Sequence, residues 1–263
     1  MKRILPKVIL LTLLTGAHWG TGWAETEGQS LLPAGPGPVG ATSELALKVA
    51  TKVSPNVYRI GTVTVDLASR EVRFAGKINM ATGVMEVLVC TIYGKTHESV
   101  ISTTIRPLDL HLALLLLGLQ NGYNPGWPEP DDPQFKKEGW GIPRGDQVDV
   151  TVEWELAGKP MKVRVEQLLK DCRTGEPLPQ TGWVFVGSFV DERGTYLADA
   201  IGSIITNYQD GSSVLDCPLK AARSDDYLVV NDPIVPPVNT PVEIRIVPAK
   251  EPPKTPEEVN PKP

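Results

Sequence analysis

The feature that most constrains this chain is a run of leucines. Leu108, Leu110, Leu112, Leu114 to Leu117 and Leu119 follow Pro107 and end around Gly118. Pro107 suits the first helical position and Asp109 the positive end of a helix dipole, so the run predicts a helix over about 107–119. Its leucines point in every direction around the helix axis. A helix that is apolar all round has to be buried, and the rest of the chain must wrap it.

That remainder reads as strands. Val63, Val65 and Leu67 alternate with polar residues, and after a turn at Ala68-Ser69-Arg70 so do Val72, Phe74, Ile78 and Met80. The pattern predicts a half-buried antiparallel pair. Residues 84–93 and 98–105 suggest a second pair around Gly94-Lys95, with the helix lying against it. Val148, Val150, Val152, Trp154 and Leu156 alternate with acids and threonine before Gly158-Lys159. A two-residue turn there would set Glu155 opposite Lys162, Glu153 opposite Arg164 and Trp154 opposite Val163. Further strands are predicted over 182–190, 201–208, 227–230 and 242–247. The fold class is therefore mainly β: an antiparallel β-sheet domain with one buried leucine-rich helix and flexible ends.

The ends differ in composition from this body. Lys2, Arg3 and Lys7 precede the apolar stretch 8–17, and Gly22-Trp23-Ala24 places small residues before Glu25. This layout is that of a secretory signal peptide over 1–24, too short in its apolar part to anchor in a membrane. Residues 25–43 read as a flexible Gly/Pro-rich leader, 44–247 as a single β-rich domain and 248–263 as a Pro/Lys/Glu-rich solvated tail. The chain carries a net charge of −5, and cleavage after Ala24 removes three basic residues, leaving −8. An acidic protein offers no basic face for phosphates, so nucleic acid is excluded as a partner. No membrane span is expected after cleavage.

Three cysteines in an oxidising compartment leave one over. Cys90 lies in an apolar strand and reads as a buried inert thiol. Cys172 and Cys217 sit among turn residues and are the disulfide candidates. No Cys-x-x-Cys occurs, which argues against a cysteine-ligated zinc or iron–sulfur centre.

The mature chain has two histidines, His97 and His111. With Glu98 and Asp109 they put four ligand-type residues within 15 positions, but His-Glu-x-x-His is not met. A straight strand from 97 to 105 would also carry the two imidazoles about 20 Å apart. No metal and no cofactor is therefore assigned. His97 is expected to be half-buried on the face of Cys90 and Leu88, and His111 to be a core histidine donating to a backbone carbonyl. Ser188 and Ser203 lack a Gly-x-Ser-x-Gly elbow. Asp210, Asp216, Asp225 and Asp226 lack calcium-loop spacing and read as solvated turn residues. The segment Asn121 to Gly145, with Trp127 and Trp140, is too long for an ordinary connection and is the expected contact surface.

Gly94-Lys95-Thr96-His97-Glu98-Ser99, Arg106-Pro107-Leu108-Asp109-Leu110-His111 and the leucines that follow resemble the YdjY-type domain family of bacterial envelope proteins. Val152-Glu153-Trp154, residues 181–188, Gly202-Ser203-Ile204-Ile205 and residues 236–242 fit the same resemblance, which spans about 58–247. It implies an envelope location and carries no established activity. Some relatives are described as ferredoxin-like, and this chain lacks the cysteine clusters for that. The binding candidates are His97, Glu98, Arg106, His111, Trp127 and Trp140. The expected function is an exported, non-catalytic domain for an envelope ligand or protein partner; the alternative is a hydrolase or lyase, metal-dependent or not, using His97 with Glu98 or His111.

Overall fold

The computed structural model describes residues 37–38, 43–124, 143–209, 211–219, 222 and 226–250. Its strands are β1 (Gly37–Pro38), β2 (Thr51–Ser54), β3 (Val57–Ile60), β4 (Val63–Asp66), β5 (Glu71–Ile78), β6 (Val87–Thr91), β7 (Ser99–Thr103), β8 (Asn121–Tyr123) and β9 (Arg144–Gly145). They continue with β10 (Gln147–Leu156), β11 (Lys159–Arg164), β12 (Leu169–Asp171), β13 (Trp183–Phe185), β14 (Phe189–Val190), β15 (Ser203–Thr206), β16 (Leu215–Asp216), β17 (Leu228–Val230) and β18 (Pro241–Pro248). The helices are α1 (Ser43–Val49), α2 (Pro107–Leu116) and α3 (Leu197–Ile201).

Strands β10, β13, β16, β15, β6, β7, β5 and β18 pair in that order, and β18 pairs with β10 to close an eight-stranded barrel. Two long strands organise it. The first residues of β5 pair with β4 and its last two with β7, while its other edge takes β18. In the same way β10 gives one edge first to β13 and then to β11, and the other to β18. Each long strand thus belongs to the ring along part of its length and to an attached hairpin along the rest. Gly76 is needed at the β5 branch, where a Cβ would lie 2.9 Å from Ile244 Cδ1 and 3.1 Å from the Ser102 carbonyl.

The alternation read from the sequence is the alternation of this wall. Val148, Val150, Val152 and Trp154 are buried, as are Ile244, Ile246, Val72 and Phe74. Outside, Arg245 reaches Glu153 at 2.8 Å and Glu71 at 2.7 Å, and Lys162 reaches Glu153 at 2.8 Å. The charges therefore form a ladder across β5, β18, β10 and β11.

Three expectations are corrected. The sheet is mixed, because β6 pairs with β7, and β15 with β16, in parallel. Residues 84–105 are accordingly no hairpin: a 3₁₀ turn at Thr96–Glu98 carries the chain back before β7 starts. Every residue of β6 and β7 is buried, as befits parallel strands covered on both faces. The hairpin after β10 turns at Ala157-Gly158, both with positive φ (51° and 76°), as a type I′ turn requires. Its register therefore pairs Glu153 with Lys162, Trp154 with Met161 and Val152 with Val163.

The leucine helix is buried as expected, with Leu108, Leu110, Leu112 and Leu114 6% exposed or less. It ends at Leu116, and Gly118 takes the left-handed conformation beyond it (φ 91°). Its main neighbours are α1, β4, β3 and α3; β6 and β7, the strands of the expected supporting sheet, are not among them. Within the stretch read as a leader, β1 pairs with β14 and Ser43 opens α1. The signal-peptide segment and the tail beyond Lys250 lie outside the described residues. No helix among the described residues is long and apolar enough to cross a membrane.

Candidate functional site

Four of the elements that carried the family resemblance, around Gly94, Leu108, Ser188 and Gly202, meet at α3. At its C-terminal end Gly202 turns left-handed (φ 82°) and its carbonyl accepts from Thr91 N at 2.9 Å. Gly94 packs on that carbonyl so closely that a Cβ on Gly94 would lie 2.9 Å from it. Near the N-terminal end, the Asp199 carboxylate accepts from Leu108 N at 2.8 Å and so caps α2. Burial raises the Asp199 pKa, opposed by that bond and by Arg106. Arg106 closes the corner through Asp109, at 2.6 Å, and lies 3.9 Å from Asp199.

His111 projects from α2 into the same junction. Its Nδ1 lies 3.1 Å from the Gly187 carbonyl and 3.1 Å from the Tyr196 hydroxyl, which itself donates to Gly187 at 3.1 Å. A carbonyl only accepts, so Nδ1 carries the proton and His111 donates to a backbone carbonyl, as the sequence suggests. Nε2 is buried and has no partner among the described residues. The ring meets Phe185 and Tyr196 edge-on, at centroid distances of 5.0 and 5.7 Å. Desolvation pushes the His111 pKa down to about 4, against the pull of the Gly187 bond. Gly187 has φ 79° and room for no Cβ, which would lie 2.7 Å from Asn121 and 2.9 Å from His111.

His97 differs from expectation. It stands in the 3₁₀ turn with 79% of its side chain exposed, because the strand begins at Ser99 rather than at His97. Its Nε2 is 3.7 Å from Glu98, whose other oxygen holds Lys95 at 2.9 Å. Lys95 also reaches Glu86 at 2.9 Å. Ser99 Oγ donates to the Lys95 carbonyl at 2.6 Å, and the Asn79 amide donates to Thr96 and Ser99 carbonyls at 2.6 and 2.9 Å. The Gly-Lys-x-His-Glu-Ser element is thus the wiring of a tight return between parallel strands.

Ser188 has the positive φ (55°) of a strained nucleophile, but its hydroxyl donates to Ser212 at 2.6 Å and accepts from Ala198 N at 3.1 Å. No imidazole is among these partners. Among the described residues no three His, Cys, Asp or Glu side chains gather as metal ligands.

The tryptophan segment has a rigid root. β8 and β9 pair, Asp146 N donates to the Gln120 carbonyl at 3.1 Å and Gln120 N to the Asp146 carboxylate at 2.9 Å. Both ends of the segment are thereby held side by side. Trp127 and Trp140 themselves lie outside the described residues. Asn124 donates to Asp216, which is fully buried and not the solvated turn residue its neighbours suggested. Asp216 also accepts from Thr206 Oγ1 at 3.1 Å and from Cys217 N at 3.0 Å. Asp216, Tyr196 and Asp199 are the site residues the sequence reading missed. Their partners are up to 92 positions away, so no local pattern marks them.

The proposed Cys172–Cys217 bridge is absent. All three thiols are free: Cys90 and Cys217 are buried, Cys172 is exposed, and no pair lies at disulfide distance. Cys217 follows β16 in the barrel wall, whereas Cys172 follows β12, outside it, with its N–H bonded to the Tyr227 carbonyl. Burial raises the pKa of Cys90 and of Cys217. Native protein should therefore give one thiol to a maleimide probe, at Cys172, and three after denaturation. Peptide mapping that finds a Cys172–Cys217 bridge would contradict the structure.

A family profile described as the YdjY domain matches residues 63–246, from β4 to β18. No curated protein and no solved structure matches the chain.

Proposed function

The chain belongs to the YdjY domain family, and from that premise we propose that it is an exported, non-catalytic domain that binds an envelope ligand or protein partner. The contact surface is the segment between β8 and β9, with Trp127 and Trp140. The observation that carries this reading is the pinned root of the segment. Strand pairing and the bonds of Asp146 and Asn124 tie both of its ends to the barrel. A binding segment on a fixed base loses less entropy on association than one on a free tether.

Two of the groups that could serve catalysis support the same choice. His111 is sealed in the core and Ser188 Oγ is bonded to Ser212. His97 with Glu98 is the pair that a hydrolase or lyase would use.

The test is site-specific photocrosslinking in cells. With a photoreactive residue at position 127 or 140, the exported chain should form a discrete adduct, and at position 97 none. Intact mass of the exported protein should begin at Glu25. An adduct only at position 97, adducts at none of the three, or retention of Trp19 and Trp23 would overturn the proposal.

A further inference from the structure

A second polar surface lies beside the junction of β10 and β13. It is a cleft of about 260 Å³ lined by Gln147, Asp149, Arg164, Gln180, Thr181 and Gly182, with Lys250 at its side. Its base is an ion-pair network around a fully buried carboxylate. Glu166 accepts from Arg164 Nη2 at 2.6 Å and Nε at 3.2 Å, and from the backbone N–H groups of Thr181 and Gly182 at 3.3 Å each. Arg164 Nη1 reaches Asp149 at 2.8 Å. This two-point grip on the guanidinium fixes the cleft in place. Gly182 is left-handed (φ 73°), and a Cβ there would stand 3.2 Å from the Val148 carbonyl and 3.3 Å from Gln147 Oε1.

We propose that this cleft binds a neutral polyhydroxylated molecule about the size of one sugar ring. Three properties lead to that class. Asp149 and Glu166 balance Arg164 and Lys250, so the cleft favours neither an anion nor a cation. The side-chain amides of Gln147 and Gln180, the Thr181 hydroxyl and the second oxygen of Asp149 form no hydrogen bond within the described residues, and together they supply both donors and acceptors. The volume is below the range of about 300–1,000 Å³ typical of sites for larger ligands. Vicinal hydroxyls, which donate and accept in pairs, match this lining. A phosphate would meet Asp149, and an apolar group would strand the amides.

The inference rests on the chain's being a binding domain but not on the tryptophan segment. The test is titration of the mature full-length protein by saturation-transfer NMR with D-glucose and N-acetyl-D-glucosamine, with glycylglycine and inorganic phosphate as comparators. At least one sugar should bind saturably in the millimolar range. Gln147→Ala combined with Gln180→Ala should weaken it about tenfold or more without moving the unfolding midpoint, since neither amide holds the fold. Trp127→Ala with Trp140→Ala should leave it unchanged. No saturation by either sugar, equal binding by the glutamine variant, or preference for phosphate or the dipeptide would overturn the cleft. Sugar binding lost only in the tryptophan variant would also overturn it, by moving the ligand to the other segment. Sugar binding that persists when crosslinking at 127 and 140 fails would instead overturn the segment and spare the cleft.

Discussion

Trp183→Ala should destabilise the protein by about 3–5 kcal/mol, the range for deleting a large aromatic side chain from a packed core. Trp183 is completely buried in β13, the short strand that joins β10 to β16 in the ring. Two effects add. The cavity removes packing from the barrel interior, and β13 makes few ladder pairs of its own, so its side chains hold it. Trp183→Phe separates burial from hydrogen bonding. The indole Nε1 is buried without a partner among the described residues, so phenylalanine forfeits volume but no hydrogen bond and removes an unsatisfied donor. It should cost much less than alanine, about 1 kcal/mol. Urea unfolding at neutral pH, with m-values compared, measures both. An alanine variant as stable as the phenylalanine one would mean that β13 is not a wall of the core.

The strand that Trp183 occupies also marks where sequence reading stops. Strands β5, β10 and β18 were legible because each has one face in the core and one in water, which writes a period of two into residues 71–78, 147–156 and 241–248. Strands β6 and β7 are buried on both faces and carry no such period. Their apolar runs say strand but not direction, and the tight Gly94-Lys95 connection suggested a hairpin where a 3₁₀ turn makes a parallel return. Closure of the ring was invisible because it depends on β18 sitting between β5 and β10, contacts that span up to 174 positions. Ala157 at φ 51° displaced the expected turn by one residue, since alanine carries no signal for that conformation.

The candidate site divides along the same line. His111 was legible because an imidazole on an all-leucine helix must find a carbonyl. His97 was not, because its exposure follows from where β7 begins. The turn residues beside the cysteines describe local backbone but not which layer of the fold it belongs to. Cys217 lies in the barrel wall and Cys172 outside it. Asp199 sits on a helix of five residues, too short to show a period, and Tyr196 is its N-cap.

Acid should destabilise the protein through His111 at the α3 junction. In the unfolded chain its imidazole titrates near the ordinary 6.5, whereas in the folded protein burial holds it at about 4. Between those values the unfolded state binds more protons, so stability rises with pH across that window and is lost as the pH falls through it. Above 6.5 and below 4 this residue contributes no slope. Across the full window the loss is about 3 kcal/mol. The protonated ring would carry its new N–H at Nε2, where no described residue offers an acceptor, and its charge among Phe185, Tyr196 and the leucines of α2. The carboxylates face it poorly: Asp199 holds Leu108 N at the first turn of α2, and Asp109 is engaged by Arg106. Other groups lose stability in acid as well, among them Asp66, Asp171, Asp191 and Asp232, whose pKa values are lowered by hydrogen bonds. They contribute equally to a variant in which only His111 is changed. His111→Phe suits that comparison, since Tyr196 keeps its own bond to the Gly187 carbonyl at 3.1 Å. Urea melts of both proteins at pH 7.5 and pH 4 should show the wild type losing about 3 kcal/mol more than the variant over that interval. Equal losses would mean that His111 is charged, or reachable by water, in the native protein, and the sealed junction between α2, α3 and the β13–β14 connection would have to be redrawn as an open one.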